Sequence, residues 1–119
     1  MRLAILVSGK GSILKAILDS GIDISLVVAD RECEAIKLSL DRGLEVELIK
    51  RSDFGKKFDR VEYTSQLVER LQVADIELIA MAGFGTILEK PLYDAYAGKV
   101  LNTHPVSYTH LTLPTILLV

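Results

Sequence analysis

Five short aliphatic runs recur along the chain, each separated from the next by a glycine or polar break and a segment of helical periodicity. They occupy residues 2–8 (RLAILVS), 24–29 (ISLVVA), 45–49 (EVELI), 77–82 (ELIAMA) and 99–103 (KVLNT). Runs this short and this rich in aliphatic residues suit strands covered on both faces, and EVELI alternates as a more exposed strand would. Between them, Ile13, Leu14, Ile17 and Leu18 fall on one helical face, with Ser12 placed to cap it and Gly21 to end it. Residues 34–42 read as a second helix with Ile36, Leu38 and Leu40 apolar. Residues 60–73, carrying Val61, Leu67, Val68 and Leu71, read as a third. Residues 91–97 read as a short fourth with proline in its first turn. Strand and helix alternating at these lengths predict an α/β fold: an open parallel sheet with helices on both faces.

A chain of 119 residues has room for one core. With 14 basic against 16 acidic residues and no basic run beyond a pair, it lacks the cationic stripe of a general nucleic-acid binder. The apolar runs are too short for a membrane span or a secretory leader, and a lone Cys33 can form no internal disulfide. A cytoplasmic protein acting on a small molecule is expected, with neither a nucleic-acid nor a membrane partner. One cysteine and two histidines also leave no credible metal site.

In a doubly wound sheet, ligands bind beyond the carboxyl ends of the strands. Three polar clusters fall there: Ser8-Gly9-Lys10-Gly11-Ser12, Gly83-Phe84-Gly85-Thr86 and Asn102-Thr103-His104-Pro105. The first joins a strand to a helix through glycines, so backbone amides and the positive end of the helix can hold an anion. It is not the dinucleotide fingerprint, since Leu14 stands at the third glycine position, nor a Walker loop. A phosphate monoester suits it; a plain tight turn is the alternative. In the last cluster, Pro105 keeps His104 extended, and strand alternation sets Asn102 and His104 on one side, ~6.6 Å apart. An amide donor beside an imidazole can stabilise and protonate an oxyanion. A structural histidine at a strand end is the alternative.

Together LVSGKGSIL, MAGFGTIL and LNTHP, in this order and spacing, resemble the phosphoribosylglycinamide formyltransferases, folate-dependent enzymes of purine synthesis. The resemblance covers residues 1–105, which correspond to the N-terminal, phosphate-binding half of a domain nearly twice as long. It implies that Gly11, Ser12 and Ile13 face the substrate phosphate, although the family usually has Asn at position 13. It implies that Gly85, Thr86, Ile87 and Leu88 line the folate pocket, that Arg60 lies near the folate, and that Asn102 and His104 are the catalytic pair, Asn102 also touching the folate. The co-substrate implied is 10-formyltetrahydrofolate and the acceptor phosphoribosylglycinamide. The family's later aspartate has no counterpart here, so the chain as written is expected not to turn over. Formyltetrahydrofolate deformylase and methionyl-tRNA formyltransferase share the Asn-x-His-Pro core. A non-catalytic phosphate-ester-binding half-module, or a truncated sheet prone to aggregate, are further alternatives.

All 30 charged residues precede position 100. The uncharged stretch at residues 106–119 holds VSYTHLTLPT, which one frame of a transposase adapter used in sequencing libraries encodes. Residues 106–119 are therefore expected to be a non-native tail, with a genuine edge strand or apolar tail as the alternative.

Overall fold

The computed structural model describes residues 1–51, 59–103 and 116–118. Each aliphatic run forms a strand and each periodic segment a helix: β1 (Leu3–Val7), α1 (Ser12–Asp19), β2 (Leu26–Ala29), α2 (Glu34–Asp41), β3 (Val46–Leu48), α3 (Arg60–Val73), β4 (Leu78–Ala82), α4 (Lys90–Ala95) and β5 (Val100–Thr103). A further short strand, β6 (Ile116–Leu118), comes from the uncharged C-terminal stretch. The strand order is β3-β2-β1-β4-β5-β6. The first five strands run parallel, and β6 pairs antiparallel with the edge of β5.

The fully apolar strands lie in the middle because both of their faces are covered. Within β1, Ala4 and Leu6 pack toward Tyr63, Leu67 and Leu71 of α3 and Leu92 of α4. Ile5 and Val7 pack on the opposite face with Leu14 of α1 and Ala35 of α2. One five-residue strand thus supplies both cores, which is why its sequence shows no polar alternation. β3 is the outer strand, and its Leu48 is 40% exposed. The more open character expected from EVELI follows from that edge position.

Three local expectations need correction. Ser12 does not cap α1: Gly11 occupies the cap position, in the left-handed region at φ 84°, and no side chain caps the turn. The chain turns one residue earlier than a serine cap requires, and the Gly11 carbonyl accepts the first helical hydrogen bond from Lys15 at 2.8 Å. Val61 and Leu40, expected on apolar helix faces, are 55% and 59% exposed. In α3 the inward face is instead Tyr63, Thr64, Leu67, Val68 and Leu71, an i, i+4, i+8 stripe that leaves Val61 outside.

Tyr63 illustrates how a polar atom is accommodated in that core. Its ring is buried and its hydroxyl donates to the Ile49 carbonyl. Burial pushes its phenol well above the ordinary tyrosine value.

Leu6→Ala removes a fully buried side chain from the central strand and should cost about 2–5 kcal/mol. Val61→Ala, on the exposed face of α3, should stay within about 0.5 kcal/mol. Urea unfolding of both variants against the parent chain measures the difference.

Candidate active site at the strand switch point

β1 lies between β2 and β4, and the chain leaves the two flanks in opposite directions. The α1 and α2 connections run over one face of the sheet, and α3 and α4 cover the other. The loops after β1 and β4 therefore part at their carboxyl ends, which opens a crevice where such sheets bind ligands.

Residues 8–12 form the first wall of this crevice. The amides of Ser12, Ile13 and Leu14 lie ahead of the first intrahelical bond, so they point out of the helix end as a donor set for an anion. Gly11 is held against the neighbouring helix: a Cβ there would come within 3.1 Å of the Ala35 Cβ and 3.2 Å of its Cα, on a backbone already at φ +84°. The Ala35 amide in turn donates to the Gly9 carbonyl at 3.1 Å. The Ile13 side chain is partly buried against the α1 and α2 core, so at this position only the backbone is offered to a ligand. Beside the loop runs an open groove of about 580 Å³, lined by Lys10, Lys15 and Lys37 and by the acids Glu34 and Asp41. Lys15 also pairs with Asp19 at 2.6 Å.

The loop after β4 is tied to the first wall and to β2. The Gly85 amide donates to the Ser8 hydroxyl at 2.6 Å, and the Thr86 hydroxyl donates to Asp30 at 2.6 Å. Asp30 follows the last residue of β2 and is fully buried. It also accepts from Arg31 through Nε at 2.9 Å and Nη2 at 3.0 Å. Burial alone pushes this carboxyl up, but the hydrogen bonds from Arg31 and Thr86, with the Ser8 hydroxyl nearby, outweigh it and hold it below the ordinary carboxylate value of 3.8. Arg31 lies over Gly85, where an added Cβ would sit 2.9 Å from its Nη2 and would push aside the end of the arginine side chain.

Asp30 and Arg31 went unnoticed in the motif reading. The signal for them is a charged pair placed directly after the fully apolar run ISLVVA, at the ligand edge of the sheet. Dinucleotide-binding sheets use an acid near this point to hold a ribose hydroxyl. Here the Asp30 oxygens are engaged within the protein, so the carboxylate is not placed to serve that purpose.

The remaining site residues fall as follows. Thr86 is 3% exposed and Leu88 5%, so both side chains turn inward, whereas Ile87 is 67% exposed. Asn102 lies in β5 opposite Met81 of β4, at the carboxyl end of the sheet. By alternation it shares the face of Val100, the α3 and α4 side. Arg60 is exposed and opens α3 at the same edge. The far end of the β4 loop reaches α3 through the Glu89 amide, which donates to the Thr64 hydroxyl at 3.1 Å. His104 lies outside the described residues. Among the described residues no group of three or more His, Cys, Asp or Glu side chains is arranged to hold a metal ion, and no helix is long and apolar enough to cross a membrane.

The sequence matches the model of the formyl transferase family, described as "Formyl transferase", over residues 1–107. The chain belongs to that family. It is 31% identical over 112 residues to the trifunctional purine biosynthetic protein adenosine-3 of Gallus gallus, covering 88% of this chain and 11% of that protein. It is 29% identical over 109 residues to the phosphoribosylglycinamide formyltransferase of Escherichia coli, covering 88% of this chain and 51% of the relative. Among solved structures, the phosphoribosylglycinamide formyltransferase of Coxiella burnetii superposes with a TM-score of 0.78 at 27% identity, covering 88% of this chain and 51% of that one. This formyl transferase chain thus spans about half the length of the bacterial relatives it matches.

The depressed Asp30 carboxyl has a defined consequence for stability. A group whose folded pKa lies below its unfolded value stabilises the fold above the unfolded value, and that contribution is lost as pH falls through the folded one. The chain should therefore lose stability below about pH 4, around and under the unfolded value of 3.8. Asp30→Asn, less stable at neutral pH, should show a shallower acid limb when unfolding free energy is followed from pH 6 to pH 2.

Proposed function

We propose that this chain is the phosphate-binding half of an enzyme that transfers a formyl group from 10-formyltetrahydrofolate to the amine of phosphoribosylglycinamide. The reaction belongs to purine biosynthesis, and we place it in the cytoplasm. The observation that carries this reading is the direct tie between the two glycine loops. The anion-ready end of α1 and the β4 loop are joined by the Gly85 to Ser8 hydrogen bond at the switch point, with Asn102 at the end of the adjoining strand. A phosphate ester at Gly11, Ser12 and Ile13 would project its glycinamide arm across the crevice. A reduced folate against Gly85, Thr86, Ile87 and Leu88, with Arg60 and Asn102 nearby, would bring its formyl group to the same place.

In this reading the glycinamide nitrogen attacks the formyl carbon, and the carbonyl electron pair moves onto oxygen. Asn102 donates to that oxyanion as it forms. His104 acts as general acid and electrostatic partner. Collapse of the tetrahedral adduct breaks the bond between the formyl carbon and N10 of the folate. N10 takes a proton and the nucleophile loses one, leaving formylated amide and tetrahydrofolate. The backbone amides at the start of α1 serve binding, since the phosphate takes no part in bond making. With Ile13 offering no side-chain donor, position 13 contributes to phosphate binding through its backbone amide only.

The family's further aspartate has no counterpart in residues 106–119, so we expect no turnover from the 119-residue chain itself. We also regard residues 106–119 as a non-native tail. Pairing of β6 with β5 fits either origin, because an exposed sheet edge accepts any extended apolar segment through backbone hydrogen bonds.

The test is a chimera in which residues 1–105 are joined to the C-terminal half of a bacterial relative. Formyl transfer should appear in the chimera and be absent from the 119-residue chain. Asn102→Ala in the chimera should lower kcat by about 10²–10³-fold. Release of formate without the acceptor amine would instead identify a deformylase, and binding of the phosphate ester with no folate chemistry would identify a non-catalytic module.

A further inference from the structure

The formyl transfer reading gives Asp30 no chemical task, yet the carboxylate is fully buried at the ligand edge of the sheet and accepts three hydrogen bonds. Two of those bonds run to Arg31, which Asp30 holds bidentately. The third leads into the β4 loop, to the Thr86 hydroxyl, and the neighbouring Gly85 amide is held separately by the Ser8 hydroxyl. At its far end the same loop is fixed by Leu88 in the core and by the Glu89 amide on Thr64. The segment is fastened on both sides of Ile87, which alone of residues 86–88 is mostly exposed.

A carboxylate only accepts, so each of its partners must present a proton toward it, and that fixes the rotamers of Thr86 and Arg31 together. An amide at this position must turn an N–H toward one arm of the Arg31 fork, which sets two donors against each other and loosens the pairing. Charge-assisted bonds in a dry setting are the strong ones, and loops without such ties sample many conformations.

We propose that Asp30 is a positioning residue for the pteridine side of the site. By clamping Thr86, beside the Gly85 amide that Ser8 holds, it presets the backbone of residues 85–87 and the Ile87 side chain as a fixed surface for the flat ring of a reduced folate. This rests on the formyl transfer reading. Arg31, spread over Gly85, closes the back of the clamp and leaves the ring only the opposite side of the loop.

The experiment uses the 119-residue chain and two probes, 5-formyltetrahydrofolate and phosphoribosylglycinamide, each followed by titration calorimetry. Thr86→Val and Asp30→Asn should each raise the Kd for the folate about tenfold, the weight of one charge-assisted hydrogen bond. The Kd for the phosphate ester and both stoichiometries should not change, and Thr86→Ser, which keeps the hydroxyl, should restore folate affinity. In the free protein, hydrogen exchange at the Gly85 amide, which is bonded to Ser8, should speed up in Thr86→Val while β4 stays protected. A merely structural role would lower the bound fraction for both probes equally, and that result overturns the proposal. Unchanged folate affinity in Thr86→Val, with faster exchange, also overturns it and leaves the formyl transfer reading standing. A parent chain that binds the phosphate ester but no folate refutes the clamp's assigned task and the folate side of that reading. Binding of neither probe refutes both.

Discussion

The buried Asp30 carboxylate ties the end of β2 to the loop after β4 through Thr86, and the Gly85 amide on Ser8 ties that same loop to the end of β1. Parallel strands leave their carboxyl ends without a common partner, since each connection departs toward a different helix. At a switch point the departures diverge, and the crevice that results is useful for binding and poor in tertiary contacts. The two ties into the β4 loop compensate for that poverty. Burial of Asp30 would be costly for an unpaired charge, and the hydrogen bonds from Arg31 and Thr86 make it tolerable. The loop geometry of the candidate site follows from this arrangement.

Much of the architecture was legible because the apolar runs and glycine breaks report burial on two faces directly. The central strands read as strands for the same reason that they pack against both helical layers: Leu6 and Ile5 serve opposite cores and neither can be polar. Helix start positions were less legible. Ser12 has the chemistry of a cap, but Gly11 takes the left-handed turn first, forced by the approach of Ala35, a contact 24 residues away that no local rule contains. Val61 likewise has the chemistry of a core residue, and only the direction in which α3 faces the sheet puts it in solvent.

The site shows the same division. The glycine loops could be recognised as strand-to-helix junctions, and their meeting at one edge follows from the alternation of elements. The Asp30 and Arg31 pair could not be assigned in that way. Its meaning depends on Thr86, 56 residues further on, being delivered to the same point by the β1 to β4 pairing. The motif also could not show that the Thr86 and Leu88 side chains turn inward while Ile87 alone is presented. Residues of one short segment thus divide between holding the loop and facing the crevice.

The central claim is that the start of α1, joined to the β4 loop, is a phosphate-ester site built from backbone amides. Titrating the ¹⁵N-labelled chain with phosphoribosylglycinamide and recording amide shifts tests it directly, even at millimolar affinity. The account predicts saturable shifts centred on Gly11, Ser12 and Ile13, reversed by inorganic phosphate in competition. Shifts that leave these three amides in place, or that centre on the opposite edge of the sheet, would contradict it.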